Sequence, residues 1–327
     1  MDRRAATITG ALVLFAIAAL VLVRAFSPGA PPPQAASLAP VDSSPSPVAR
    51  APAQSAFSTF RSMPGAGGEA WLPDDLPATV AWRYAQAADK RAFYDRALEV
   101  GGGAYLLQAM GAWEQCRWVN QYGMAGAEQM AASSGMLAGP QYAERLAAFR
   151  AHIKGCDGFA IRKVDAQDYL ANARRIRDQS DLTSRAHGVR PDALQTPGQQ
   201  EAAMAVAQSA LASGDAYLVT ELAPYFAYRR AGLLGSPRII SSADPRIDAM
   251  QRERDAWIWA SCELGVDCGP ASANGRRMCF ERGKCGWRSI DDIAGDVFSV
   301  GGMSPPRERK DEIVAAVRSS DWATLGF

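Results

Sequence analysis

Nineteen consecutive residues without a charge, Ala5–Val23, stand between Arg3-Arg4 and Arg24. Coiled at 1.5 Å per residue, such a run nearly crosses a hydrocarbon layer of about 30 Å. The two arginines before it keep that end in the cytosol and send the remainder outward. The run is long for a cleaved signal, and Arg24 and Pro40 spoil the small-residue cleavage positions around Val23-Arg24-Ala25 and Ser37-Leu38-Ala39. Residues 1–26 are therefore expected to be an uncleaved signal anchor, with a removed signal peptide as the alternative. The expected location is the inner membrane, held through residues 5–23 in a single pass, with the rest of the chain in the periplasm. Removal of the segment would leave the rest secreted to the periplasm.

That topology decides how the cysteines are read. There are six, all between positions 116 and 285. An even number outside the cytosol points to three disulfides. Cys116 falls late in a predicted helix over 104–121, and Cys156 just past one over 140–154, so these two are expected to staple neighbouring helices. The closed loop of about forty residues is worth about 3–4 kcal/mol. Cys262, Cys268, Cys279 and Cys285 read Cys-x5-Cys, ten residues, Cys-x5-Cys. Zinc ligand pairs favour two to four intervening residues, so a four-cysteine zinc site fits poorly and no metal is expected. Three pairings of these four are open, and a helical hairpin leans toward the nested one, Cys262–Cys285 with Cys268–Cys279. Without Cys-x-x-Cys spacing, a thioredoxin-type redox role is not indicated.

Between the apolar run and the first helical pattern, residues 27–70 are dominated by proline, alanine and serine. So few large apolar groups cannot offset the entropy of ordering, and a disordered or polyproline-like linker is expected. Residues 71–327 are expected to form a disulfide-bonded helical domain, with a sub-boundary near 190–198. The fold class is all-α: helical hairpins packed into an irregular α-α array. Alanine, leucine, glutamate, glutamine and arginine are frequent, and no long alternating β-branched run appears. Helices are predicted over 78–99, 104–121, 140–154, 165–186, 199–212, 215–230, 245–264, 272–282, 289–298 and 305–318.

Two stretches look alike. Gly102-Gly-Ala-Tyr-Leu-Leu107 matches Gly214-Asp-Ala-Tyr-Leu-Val219, each after a segment ending in Ala-Leu. Glycine closes one helix and Asp215 can cap the next, which reads as helix, tight turn, helix twice over. Tyr105 with Ala109, and Tyr217 with Glu221, then lie on comparable faces. These units resemble helical hairpins of the tetratricopeptide or Sel1 kind over about thirty residues each. The run Trp257-Ile-Trp-Ala-Ser-Cys262 through Cys268, with Cys279 and Cys285, resembles a segment common in uncharacterised exported proteins of proteobacteria. The resemblance implies location and architecture and carries no activity.

Chemistry is sparse. The two histidines, His152 and His187, show no His-Glu-x-x-His spacing and read as structural. Neither a Gly-x-Ser-x-Gly elbow nor a phosphate loop is present, and no cofactor is implied. A net charge of +1 does not suggest a nucleic-acid partner. Glu114 shares a helix face with Leu107, Met110 and Trp118, which makes it the one candidate general acid; the plainer reading pairs it with Arg117. Trp113, Trp118, Tyr217 and Trp259 are candidate binding aromatics. Trp257 and Trp259 point to opposite sides of one helix, so one of them is expected to be exposed or to meet another layer. The function expected is a tethered cell-envelope module binding a protein or peptide partner. A cell-envelope hydrolase using Glu114 in a cleft is the alternative.

Overall fold

The computed structural model describes residues 70–236, 244–298 and 306–327. The expected anchor and residues 27–69 of the linker lie outside the described residues. Among the described residues all regular structure is helical, and no helix is long and apolar enough to cross a membrane. The helices are α1 (Pro77–Gln86), α2 (Lys90–Val100), α3 (Gly103–Ser133), α4 (Tyr142–His152), α5 (Asp157–Ile161), α6 (Ala166–Arg177) and α7 (Leu182–Gly188). After a 3-10 turn at Pro191–Ala193 come α8 (Pro197–Ser213), α9 (Ala216–Arg230), α10 (Pro245–Leu264) and α11 (Ala273–Arg282). A second 3-10 turn, Ile290–Ile293, leads into α12 (Ala294–Val297), and α13 (Arg307–Ser319) closes the set.

Two predicted helices are each two helices in the structure. The segment 78–99 breaks before Asp89, whose carboxylate accepts from the Arg91 and Ala92 amides at 2.8 and 3.0 Å and so starts α2. The segment 165–186 breaks in the same way before Asp181, which caps Ser184 at 3.0 Å. Conversely α3 runs on to Ser133, turning at Gly123, which has a φ of 73°.

Both glycine turns singled out in the sequence do separate helices. Gly102 (φ 76°) sits so close to the Pro73 carbonyl that any side chain would overlap it. The capping carboxylates are shared. Asp215 accepts from the Tyr217 and Leu218 amides of α9 and, at 2.9 Å, from the Ala78 amide of α1. Asp181 caps α7 and also accepts from the Gly103 amide of α3 at 3.0 Å. Each aspartate therefore serves two helix N-termini, where negative charge is favoured. The two tyrosines that follow are not equivalent. Tyr105 is fully buried, with its hydroxyl on Asp75 at 2.6 Å, whereas Tyr217 is half-buried.

Two large apolar cores result, with a small third cluster of Trp259, Ala294 and Phe298. The first joins Val80, Phe93, Tyr105, Ala112, Phe149 and Phe159 and recruits Phe280 from far along the chain. The second joins Leu211, Leu218, Leu222, Phe226, Trp257 and Val317, with the Phe226 and Trp257 rings stacked at 4.1 Å. The return of α11 to the first core rests on Arg145 of α4. Its guanidinium donates to Phe280 O (3.2 Å from Nε, 2.9 Å from Nη2), Glu281 O (3.4 Å), Ala138 O and Met136 O. A fork of donors thus satisfies the last carbonyls of α11 and the loop before α4 together.

The cysteines form three disulfides. Cys116–Cys156 is the staple expected between α3 and the end of α4, with Cα atoms 5.4 Å apart. The nested scheme for the other four is not what forms. Cys262 pairs with Cys268 and Cys279 with Cys285, at Cα separations of 5.5 and 4.4 Å. The reason is local geometry. Each Cys-x5-Cys straddles the C-terminus of a helix and the glycine that ends it. After Gly265, Val266 N donates back to Ser261 O at 3.0 Å; at Gly283, in the left-handed region, Lys284 N donates to Met278 O at 3.2 Å. Each reversal carries the second cysteine back over the last turn holding the first.

Candidate functional site

A groove of about 870 Å³ runs between α1, α3 and α11. One wall is Ala78, Ala81, Trp82 and Ala85 of α1; another is Gln108, Gly111, Glu114, Gln115 and Trp118 of α3. The third comprises Val266 and Asp267 of the turn after α10, then Ser272, Asn274, Arg276 and Arg277 of α11. Phe149, Ile153, Phe280 and Lys90 also line it and are buried, which makes them its floor.

All three disulfides flank this groove. Cys116 follows Gln115, and Cys156 closes the turn after the lining residues His152 and Ile153. Cys262–Cys268 brackets Gly265, Val266 and Asp267, and Cys279 precedes Phe280. Cys116–Cys156 therefore ties the α3 wall to the floor beyond α4, and the other two bridges tie the parts of the third wall to their own helix ends; α1 carries no crosslink.

Hydrogen bonds join floor to walls. Tyr84 Oη donates to Gln115 Oε1 at 2.7 Å, and Gln115 Nε2 donates to His152 O. Lys90 Nζ donates to Tyr84 O at 2.5 Å and lies 4.0 Å from the centre of the Tyr84 ring. Arg276 Nη1 donates to Ala151 O at 2.8 Å. Burial, and then the Arg276 charge, pulls the Lys90 ammonium down to about 8. Burial, reinforced by Arg276 and Arg277, pulls the His152 imidazole down to about 4, so it is neutral at pH 7. His152 Nδ1 is buried without a hydrogen-bond partner, its ring set edge-on to Phe280 at 5.1 Å. Burial likewise raises the Tyr84 phenol far above its ordinary value.

The candidates from sequence are distributed unevenly about this site. Trp118, Tyr217 and Glu114 line the groove. Glu114 is exposed at its rim, 3.7 Å from Arg117 and close to the Tyr169 hydroxyl, a solvated carboxylate rather than one sealed against tryptophan and methionine. Trp113 lies elsewhere, against Tyr169 at 4.5 Å with its Nε1 directed at Val164 O. Trp259 is fully buried, stacked on Phe298 and donating to Asp291 at 3.0 Å, so it is closed to a ligand. Neither Trp257 nor Trp259 is exposed; the two meet different layers. His187 pairs with Glu221 at 2.6 Å, away from the groove. Trp82 and Lys90 carry no motif and are found only in the structure. Among the described residues, no group of three or more histidine, cysteine or acidic side chains is placed to hold a metal ion. Comparison with protein-family models, with curated proteins and with solved structures finds no match to this chain.

Proposed function

We propose that the chain is a tethered cell-envelope binding module, and that the groove between α1, α3 and α11 takes an extended peptide segment of a partner protein. The observation that carries this reading is the position of the crosslinks. The disulfides hold the α3 wall to the floor and fix the turns of the third wall before a ligand arrives, and preorganisation of that kind lowers the entropic cost of binding. The lining suits a peptide: indole faces of Trp82 and Trp118 for side chains, and Gln108, Gln115 and Asn274 amides for backbone groups. The charge-free run Ala5–Val23 supports the envelope setting, because export supplies the oxidising compartment that three disulfides need.

Gly111 provides the test. A Cβ there would meet only Gln108 Nε2, at 3.7 Å, so the first atom of a Gly111→Trp side chain is accommodated on this groove-lining position. Peptides selected from a displayed random dodecamer library on the oxidised full chain should lose at least ten-fold in affinity for Gly111→Trp, with thermal stability little changed. No enrichment, or enriched peptides indifferent to Gly111→Trp, would overturn the reading.

A second reading, hydrolysis of a wall or peptide substrate, is favoured by one observation: Glu114, Asp267 and Glu281 all line the same groove. Glu114→Gln should abolish any such turnover. Turnover that survives it would remove this reading.

A further inference from the structure

The groove's charges do not pair off. Arg117 is matched by Glu114 at 3.7 Å, and Arg277 by Glu281 at 2.9 Å. Asp267 Oδ1 accepts the Gly269 amide at 3.0 Å. Lys90 and Arg276 remain, and among the described residues neither has a carboxylate within salt-bridge distance; each donates only to a backbone carbonyl. An ammonium has three donors and a guanidinium five, so most of their capacity is unused. The two are not scattered. Lys90 bonds Tyr84 O, Tyr84 Oη bonds Gln115, Gln115 bonds His152 O, and Arg276 bonds the neighbouring Ala151 O. These bonds run through Tyr84 and the adjoining residues Ala151 and His152, and so place both cations along one stretch of the groove. Lys90 is also 8 % exposed, where water screens little.

Resting on the peptide-groove reading above, we propose that Lys90 and Arg276 form an anion subsite that receives one carboxylate of the bound peptide. Two like charges held without a counter-ion, Lys90 on the buried floor and Arg276 half-buried on the wall, lose their repulsion when an anion sits between them. The rest of the lining selects the kind of anion. Glu114, Asp267 and Glu281 face the same space and disfavour a dianionic phosphate or a polyanion, whereas a single carboxylate balances the excess. The low basicity of Lys90 agrees with this, being set by burial and by Arg276 together.

The test uses the oxidised full chain in detergent and three hexapeptide pools, random over all residues except aspartate and glutamate. One has free C-terminal carboxylates, one has C-terminal amides, and one is amidated with a glutamate at a single internal position. Retention of each pool by the protein is read by mass spectrometry. A carboxylate-bearing pool should be retained about ten-fold better than the plain amide pool, and Lys90→Met or Arg276→Gln should each erase that preference. Preference for the first pool identifies a chain terminus as the source of the carboxylate; preference for the third identifies a side chain. Arg276 is half-buried on the surface of α11, so its variant tests the subsite even where Lys90→Met impairs folding. Equal retention of acid and amide pools overturns the subsite while leaving the peptide groove standing. Retention of no pool overturns both. Inorganic phosphate displacing the acid pool at concentrations where acetate does not would overturn the choice of a carboxylate.

Discussion

Removing the disulfides one at a time should produce a fixed order of damage. Cys116–Cys156 closes a loop of 40 residues, whereas Cys262–Cys268 and Cys279–Cys285 each close a loop of 6. In the chain-entropy description the long bridge restricts the unfolded chain by about 3.9 kcal/mol and each short one by about 2.2 kcal/mol at 25 °C. Packing widens the gap. Cys116 and Cys156 are both fully buried in the first core, so their loss also leaves a cavity, while Cys268 and Cys285 are half-buried. Alanine is the replacement of choice, because a serine hydroxyl at those positions would be buried without a partner. For a folded part of this size each kcal/mol moves the thermal midpoint by roughly 2–4 °C. Cys116→Ala/Cys156→Ala should therefore lower it by about 8–16 °C, and either short-bridge double variant by about 4–9 °C, measured by circular dichroism on oxidised protein. A short-bridge variant as damaging as the long-bridge one would refute the loop-closure reasoning. Six thiols titrating in native protein without reductant would refute the bridges themselves.

Other outcomes follow from single residues. His152 is neutral in the fold, with its basicity pulled down to about 4 from an ordinary 6.5. The unfolded chain then binds the extra proton between those values, so stability is full above pH 6.5 and falls by about 3 kcal/mol as pH drops to 4. Urea midpoints at pH 7 and pH 4.5 should diverge less in His152→Gln than in the parent, and an identical divergence would count against the buried imidazole. Arg145→Met should cost about 3 kcal/mol in urea denaturation, because four carbonyls lose their donors, and Arg145→Lys should not recover it. Full recovery by lysine would show that charge alone, not the fork, holds α11. Asp215→Ala removes a cap from two helices at once and should cost about 2–3 kcal/mol; a loss under 1 kcal/mol would mean that α1 is held by other contacts.

What was legible in the sequence was what is decided locally. The staple between Cys116 and Cys156, the glycine reversal at Gly214 with its Asp215 cap, and the pairing of Glu114 with Arg117 all depend on residues whose helical register is readable. The break between α1 and α2 was not legible. Ala85-Gln-Ala-Ala-Asp-Lys-Arg reads as continuous helix, and the chain turns there because Lys90 N is taken by Gly155 O at 2.8 Å, a partner far along the chain. The short-range pairing of the last four cysteines has a local signal in the sequence, a glycine inside each Cys-x5-Cys. The groove itself was out of reach. Its walls come from residues 78–118 and 265–281, and their meeting depends on Arg145 reaching α11 across the chain. For the same reason Trp259 looked available and Trp82 did not stand out, since the face an aromatic presents depends on which layer covers its helix.

The double duty of Asp215 has a consequence for the order in which the chain becomes competent. Its bond to the Ala78 amide spans 137 positions, and the Arg145 bond to Phe280 O spans 135. A nascent polypeptide emerging from its N-terminus can pack α1 on α2 and α3 early, but the carboxylate that caps α1 does not appear until residue 215. The wall formed by α11 arrives later still. The groove is thus completed only near the end of synthesis, and a product truncated before α11 would keep much of its helix but lack the third wall.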